Sequence, residues 1–279
     1  MNNLPISVII TTYNDTEYLT SAIESVLNQS YPPKQLIIVD DGSDSYMAKV
    51  VTNRYLDNTK GIDICFYRKD NGGASSARNM GLKYVNQPYL PFLDADDQLL
   101  KDSLLKRYNL LSNLSSEYFG VYGSAITSEG NNIDFINFDG IPNTSYVGKY
   151  HTGIPGGCCY YLFKTKCIKE IGPFDISLTH NEDFDFIIRL LKAGKLCKGS
   201  VGSIYRVTIR PNSLSRSENY EKTFNGLITF LNKAEGQNYF TKHELKYRKQ
   251  RAHLFLVKRI LKRKPFLAFR HLLLAAKYI

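Results

Sequence analysis

Ile6-Ser7-Val8-Ile9-Ile10-Thr11, running on into Thr12-Tyr13-Asn14, is the stretch that decides the fold. A short β-branched run that stops abruptly in a polar cluster reads as a strand of a mostly parallel sheet. The same unit recurs three times: Leu36 to Val39 before Asp40, Ile62 to Tyr67 before Asp70, and Tyr89 to Leu93 before Asp94. Between the runs, Leu19, Ile23, Val26 and Leu27 recur at helical spacing, as do Leu104, Leu105, Tyr108 and Leu111. Ligands of open α/β sheets bind outside the carboxyl ends of the strands, so the clusters Thr11 to Asn14, Asp40 to Asp44, Asp70 to Asn79 and Asp94 to Asp97 are expected to face one crevice.

The segment from Glu129 to Gly157 is polar and rich in Gly, Asn and Pro without a period, which predicts a long loop over the sheet of the kind that forms a mobile lid. Order resumes at the apolar run Cys158 to Phe163 and turns at Gly172-Pro173-Phe174. Asn181-Glu182-Asp183 then opens a helix with Phe184, Ile187, Ile188 and Leu191 as its stripe and Gly194 as its stop. After Ser217 the chain reads as helical to its end, with breaks at Gly236 and Pro265. A chain of 279 residues, 43% hydrophobic, can bury one sizeable core, which predicts a catalytic body over residues 1–215 and a mainly helical extension over 216–279.

Five constellations could carry chemistry. Asp94, Asp96 and Asp97 crowd three carboxylates after a strand, and a hard cation such as magnesium or manganese relieves their repulsion while bridging phosphate oxygens. Taken alone, the same residues also describe a solvated acidic turn. Asp41, in Asp40-Asp41-Gly42-Ser43, can accept from a base imide or a ribose hydroxyl, or can belong to an ordinary Asp-Gly turn. Tyr13 can stack on a nucleobase or simply pack. Asn71 to Asn79 is a small-residue loop entering a helix, suited to anions, with Arg78 as a charged fork; its spacing is not that of a P-loop. Glu182 and Asp183 suit a helix N-terminus, and that position also keeps a general base ionised.

In this order, SVIITTYN (7–14), VDDGS (39–43), NGGASSARN (71–79), FLDADD (92–97) and NEDFDFIIRLLKAG (181–194) closely resemble family 2 inverting glycosyltransferases of the GT-A fold, across roughly residues 4–215. The resemblance implies an α/β, Rossmann-like architecture that transfers a sugar from a nucleotide diphosphate, usually a UDP-sugar, to an acceptor hydroxyl. It implies that Thr11, Tyr13 and Asp41 hold the nucleobase, that Arg78 lines the nucleotide site, and that Asp94 and Asp96 form the D-x-D pair. Asp96 would be the direct contact for Mn2+ or Mg2+, and Asp94 would lie nearer the ribose. Asp97 is ambiguous, Glu182 is a further candidate, and Asp183 is the implied catalytic base. Many relatives carry a His in the segment corresponding to Tyr205 to Ser213; this chain has none, which leaves Arg210 as a candidate for the diphosphate. A non-catalytic nucleotide-sugar scaffold and a polyprenyl-phosphate sugar synthase are the rival readings.

The net charge of +10 is concentrated at one end: Lys242 to Ile279 holds twelve Lys or Arg and one acid, which leaves −1 for everything before it. Apolar and cationic residues mixed at helical spacing suit an anionic membrane surface or helices packed on the body with a basic outer face. No recognition module accompanies the charge, so nucleic acid is not an expected partner. Five cysteines without a C-x-x-C pair suggest neither a zinc site nor a disulfide framework. With no secretory signal or spanning segment read, the expected location is the cytoplasm, peripherally on the inner face of the plasma membrane, where a glycan or lipid-linked glycan of surface polysaccharide synthesis would be the acceptor.

Overall fold

The computed structural model describes residues 3–57, 59–210 and 219–278. Chain order is β1 (Leu4–Thr12), α1 (Thr16–Leu27), β2 (Pro33–Asp40), α2 (Met47–Asn53), β3 (Asp63–Arg68), α3 (Gly73–Leu82), β4 (Tyr89–Leu90), β5 (Phe92–Asp94), β6 (Gln98–Leu99) and α4 (Ser103–Leu111). There follow β7 (Tyr118–Thr127), β8 (Asn132–Ile133), β9 (Asp139–Gly140), β10 (Tyr161–Lys164), α5 (Thr165–Ile171), α6 (Glu182–Lys192), β11 (Leu196–Val207), α7 (Tyr220–Gly236), α8 (Lys242–Ile260) and α9 (Pro265–Ala276). The sheet runs β3-β2-β1-β4-β10-β7-β11-β6, with β5 on β1, β8 on β7 and β9 on β11. β1, β2 and β3 are mutually parallel, and β10 enters antiparallel to both β4 and β7.

β1 is buried on both faces, so its residues split between two cores. Val8 and Ile10 meet Leu19, Ile23 and Val26 of α1 and Leu104 of α4, whereas Ile9 lies with Ala77 of α3 and Phe186 and Leu190 of α6. The single strand expected over Tyr89 to Leu93 divides at Pro91, which has no N–H for a sheet ladder. β4 therefore continues toward β10, while β5 pairs only with β1, setting Asp94 beside Thr11.

Register decides the site. Thr11 lies level with Val39 and Asp94, Thr12 with Asp40, and Asp40 with Arg68, so the polar ends of β1, β2, β3 and β5 form one edge.

The segment predicted as a lid packs on the body through its second half. Val147 and Ile154 are buried and bridge to one another, and Gly148 and Gly156 press on the ring of Phe184. A Cβ at Gly148 would stand 1.9 Å from that ring, at a φ of 74° that already favours glycine. Phe184, the residue directly after Asp183, thus seats the loop against the helix that carries the candidate base.

The extension divides in two. α7 and α8 join the first core through Phe230, Leu231, Ala234, Leu245, Leu256 and Ile260. Asp185 of α6, wholly buried, fastens them: it accepts from Tyr239 Oη at 2.8 Å and pairs with Lys233 at 2.6 Å. α9 lies outside α8. The boundary expected at 215/216 lies outside the described residues. All five cysteines are free, and among the described residues no helix is long and apolar enough to cross a membrane.

Candidate active site

Arg78 is the centre of the carboxyl edge. Gly73 starts α3 behind the Asp41 turn, and one helical turn later Arg78 points into the protein, where only 4% of it is exposed. Its Nη2 meets Asp94 Oδ1 at 3.1 Å; its Nη1 meets Asp183 Oδ1 at 2.9 Å and Glu182 Oε1 at 3.1 Å. Residues 94 and 183, from β5 and the start of α6, are thereby held on the two arms of a single guanidinium. α6 begins at Asn181, whose φ of 61° turns the chain into the helix, and the acids in its first turn match the positive end of the helix dipole.

One cation facing three carboxylates explains the local protonation chemistry. Arg78 is held firmly charged by its three partners despite its burial. Asp183 receives only a share of that charge, so burial pushes its carboxyl up to about 6 against the pull of Arg78, with Glu182 and Asp94 adding to the rise. The charge of Arg78, expected to line the nucleotide, is shared among these three acids.

Asp41 is also otherwise engaged. Lys69 Nζ (2.6 Å) and Gly72 N (3.1 Å) donate to its Oδ1, and Gly73 N (2.7 Å) and Asn71 Nδ2 (3.3 Å) to its Oδ2. The carboxylate caps α3 and shapes the loop, with each oxygen already accepting at least two hydrogen bonds, Gly72 N being shared between them. Gly42 permits this closeness, since a Cβ there would stand 2.6 Å from Asn71 N. Beside this turn lies a cavity of about 370 Å³ lined by Gly42, Arg68, Lys69, Asp70 and Asn71. Tyr13 is 46% exposed at the same edge, and Thr11 uses its carbonyl to hold Ala95 N at 3.2 Å.

The remaining acids separate by role. Asp97 accepts from Tyr205 Oη at 2.6 Å and Thr208 N at 2.7 Å, tying β11 to the acidic turn. Burial, followed by repulsion from Asp94, pushes its carboxyl to about 7. These two contacts tie the Asp97 carboxyl to the end of β11. Asp96 pairs with Arg210 Nε at 2.8 Å, and the same guanidinium pairs with Asp15. Burial raises the Asp96 carboxyl, Asp94 adds to the rise and Arg210 opposes it. Arg210 therefore sits between Asp96 and Asp15. Residues 211–213 of its segment lie outside the described residues.

A divalent cation suits this donor set. Asp94 and Asp96 are hard oxygen donors on one turn, at an edge where carboxylates outnumber guanidiniums and Asp96 is costly to ionise. Among the described residues no group of three or more His, Cys, Asp or Glu could enclose a metal by itself.

Residues 7–160 match the model of glycosyl transferase family 2, a span running from β1 to the edge of β10 and so covering every strand end described above. The chain belongs to glycosyl transferase family 2. Among family relatives, an uncharacterized glycosyltransferase of Rickettsia typhi is 28% identical over 248 residues, covering 82% of this chain and 73% of its own. The minor teichoic acid biosynthesis protein GgaB of Bacillus subtilis is 31% identical over 240 residues, 82% of this chain but 26% of GgaB. This chain thus spans about a quarter of that relative's length. Two solved structures share the fold: S. aureus TarS 1–349 in complex with UDP-GlcNAc has a TM-score of 0.62 at 20% identity, covering 93% of this chain and 73% of that one. The mannosyltransferase PcManGT from Pyrobaculum calidifontis, in complex with GDP-Man and Mn2+, has a TM-score of 0.65 at 14% identity, covering 99% and 76%. At such identities the likeness establishes the GT-A-type α/β architecture of the family.

Several site residues had no local signal. Lys69, Asp15 and Tyr205 matter because of their partners Asp41, Arg210 and Asp97, and Arg210 finds Asp15 across 195 positions of sequence.

Proposed function

We propose that this family 2 glycosyltransferase moves a sugar from a nucleotide diphosphate, a UDP-sugar, to an acceptor hydroxyl by a single displacement that inverts the anomeric centre. The observation that carries the reading is the joint hold of Arg78 on Asp183 and Asp94, which sets a candidate base and a candidate donor ligand on one guanidinium. Asp183 takes the proton from the acceptor hydroxyl as that oxygen attacks the anomeric carbon from the face opposite the diphosphate. Asp96 and Asp94 would hold Mn2+ or Mg2+, which when bound neutralises charge developing on the diphosphate. Arg210, beside Asp96, offers a guanidinium to the same oxygens. Tyr13 and Thr11 present a face to the nucleobase, and a base imide reaches Asp41 by taking the place of Lys69, the one donor there on a long flexible stem.

TarS with UDP-GlcNAc and GgaB in teichoic acid biosynthesis support a UDP-sugar donor and a surface-polymer acceptor. The test is a panel of nucleotide sugars with manganese, read by thermal stabilisation and by release of nucleoside diphosphate. A stabilising UDP-sugar that is turned over, with turnover lost in excess chelator and regained with manganese, is the expected result. Stabilisation without release in the presence of glycan acceptors would favour a scaffold, and full turnover in chelator would reject the metal.

The raised carboxyl of Asp183 sets a pH dependence. A base must be ionised, so kcat/KM is expected to be level above about pH 6 and to fall about tenfold per pH unit below it. An acidic limb set near the ordinary carboxylate range of about 4 would show that Asp183 is not the titrating base.

A further inference from the structure

α9 is amphipathic in the wrong sense for a helix that only packs. Ala268 and Ala275 are buried, and His271 Nδ1 lies 2.9 Å from His253 Nδ1 of α8, so this face docks on the protein. Phe266, Phe269 and Leu273, spaced by three and four residues, point the other way, with exposures of 92%, 60% and 54%. Exposed large apolar groups scattered singly are ordinary; three on one helical stripe are not. Leu261 and Leu272, both exposed, extend the apolar surface.

The surroundings of the stripe are cationic. Lys262, Arg263 and Lys264 precede the helix, Arg270 and Lys277 flank the stripe, and all five are exposed. No acidic residue follows Glu244 in the sequence. A second copy of this face would bring like charges together around its apolar contact, whereas an anionic bilayer satisfies both features: aromatic and aliphatic groups enter the acyl boundary while long cationic stems reach the headgroups.

We propose that the outward stripe of α9, Phe266, Phe269 and Leu273 rimmed by Arg263, Arg270 and Lys277, is a membrane-inserting face selective for anionic lipid. α7 and α8 serve as the mount that ties this face to the catalytic body. The inference deepens the reading of a surface-polymer glycosyltransferase by naming how the enzyme reaches a lipid-borne acceptor. Vesicle binding does not require donor or metal, so its failure and that of the catalytic reading are separately visible.

The experiment is flotation of the full chain with vesicles of roughly 30% phosphatidylglycerol in phosphatidylcholine, against phosphatidylcholine alone. The parent is expected to float with the anionic vesicles and to remain below with the neutral ones. Phe266→Ser/Phe269→Ser/Leu273→Ser is expected to lower partitioning by about two orders of magnitude, since three large apolar groups no longer enter the bilayer. Arg263→Gln/Arg270→Gln/Lys277→Gln is expected to lower it at least about tenfold and to weaken its salt dependence. All six side chains are on the outer surface, and an unchanged melting temperature and helical circular dichroism would show that the fold is kept. A parent that ignores anionic vesicles, or an apolar triple variant that floats like the parent, would overturn the proposal. So would a dimer in light scattering that the apolar variant disperses while vesicles go unbound.

Discussion

Asp183→Asn is expected to lower kcat by about 10²- to 10⁴-fold, the usual contribution of a general base, while the affinity for the nucleotide sugar changes little. The amide retains an oxygen to accept from Arg78, so the local geometry can survive without the proton acceptor. Stability provides a control with an opposite sign. A carboxyl whose folded pKa is raised favours the folded state in its neutral form: that contribution is full below about 4 and is lost as pH rises through about 6. At neutral pH the charged Asp183 therefore burdens the fold, and the Asn variant is expected to melt at the parent's temperature or above it. Single-turnover assays with donor titration, together with thermal melts, check both halves. An Asn variant of undiminished kcat would remove Asp183 from the role, and one with a much lower melting temperature would show that its charge is structural.

Arg78→Gln is expected to have the largest effect on stability. Asp94, Glu182 and Asp183 would face one another across a buried site with no cation between them. Breaking a buried ion pair by removing one partner typically costs about 3–5 kcal/mol. The loss should appear as a clearly lower midpoint in urea unfolding with an unchanged slope, and as near-complete loss of turnover. Because the damage is repulsion among the remaining acids, Glu182→Gln introduced beside Arg78→Gln should regain part of the stability, a coupling that a double-mutant cycle measures. If Arg78→Gln matched the parent in stability, or if the second substitution added to the loss, Arg78 would not be the counter-charge of this site.

The two predictions draw on different kinds of information. Asp183 is singled out in the sequence by resemblance to the family pattern; the local motif, an acid pair opening an amphipathic helix, indicates only a helix N-terminus. β1, β2, β3 and the clusters that end them are legible locally, since a β-branched run and the polar residues after it lie within one stretch of chain. Pro91 broke the expected strand in two for an equally local reason, one that only the pairing of β4 with β10 exposed. By contrast, β7 and β11 form the widest part of the sheet yet were not among the expected strands. Gly120, Gly123, Gly199 and Gly202 interrupt their apolar pattern, and close neighbours such as Leu162, Ile204 and Asn137 account for the small residues at 120, 123 and 199.

Residue type and short-range order were enough to determine the parallel half of the sheet, the edge where its polar clusters meet, and the concentration of positive charge in the last forty or so residues. Tertiary structure alone decided how those charges are spent. It made Arg78 the counter-ion of three acids, engaged Asp41 with the loop, tied Asp97 to Tyr205, and set Arg210 between Asp15 and Asp96. It also packed the three helices of the extension and turned the phenylalanines of the last one outward. The physical reason is that hydrophobic period and turn chemistry act between near neighbours, whereas a charge takes whichever partner the folded chain brings within a few ångströms, regardless of separation in sequence.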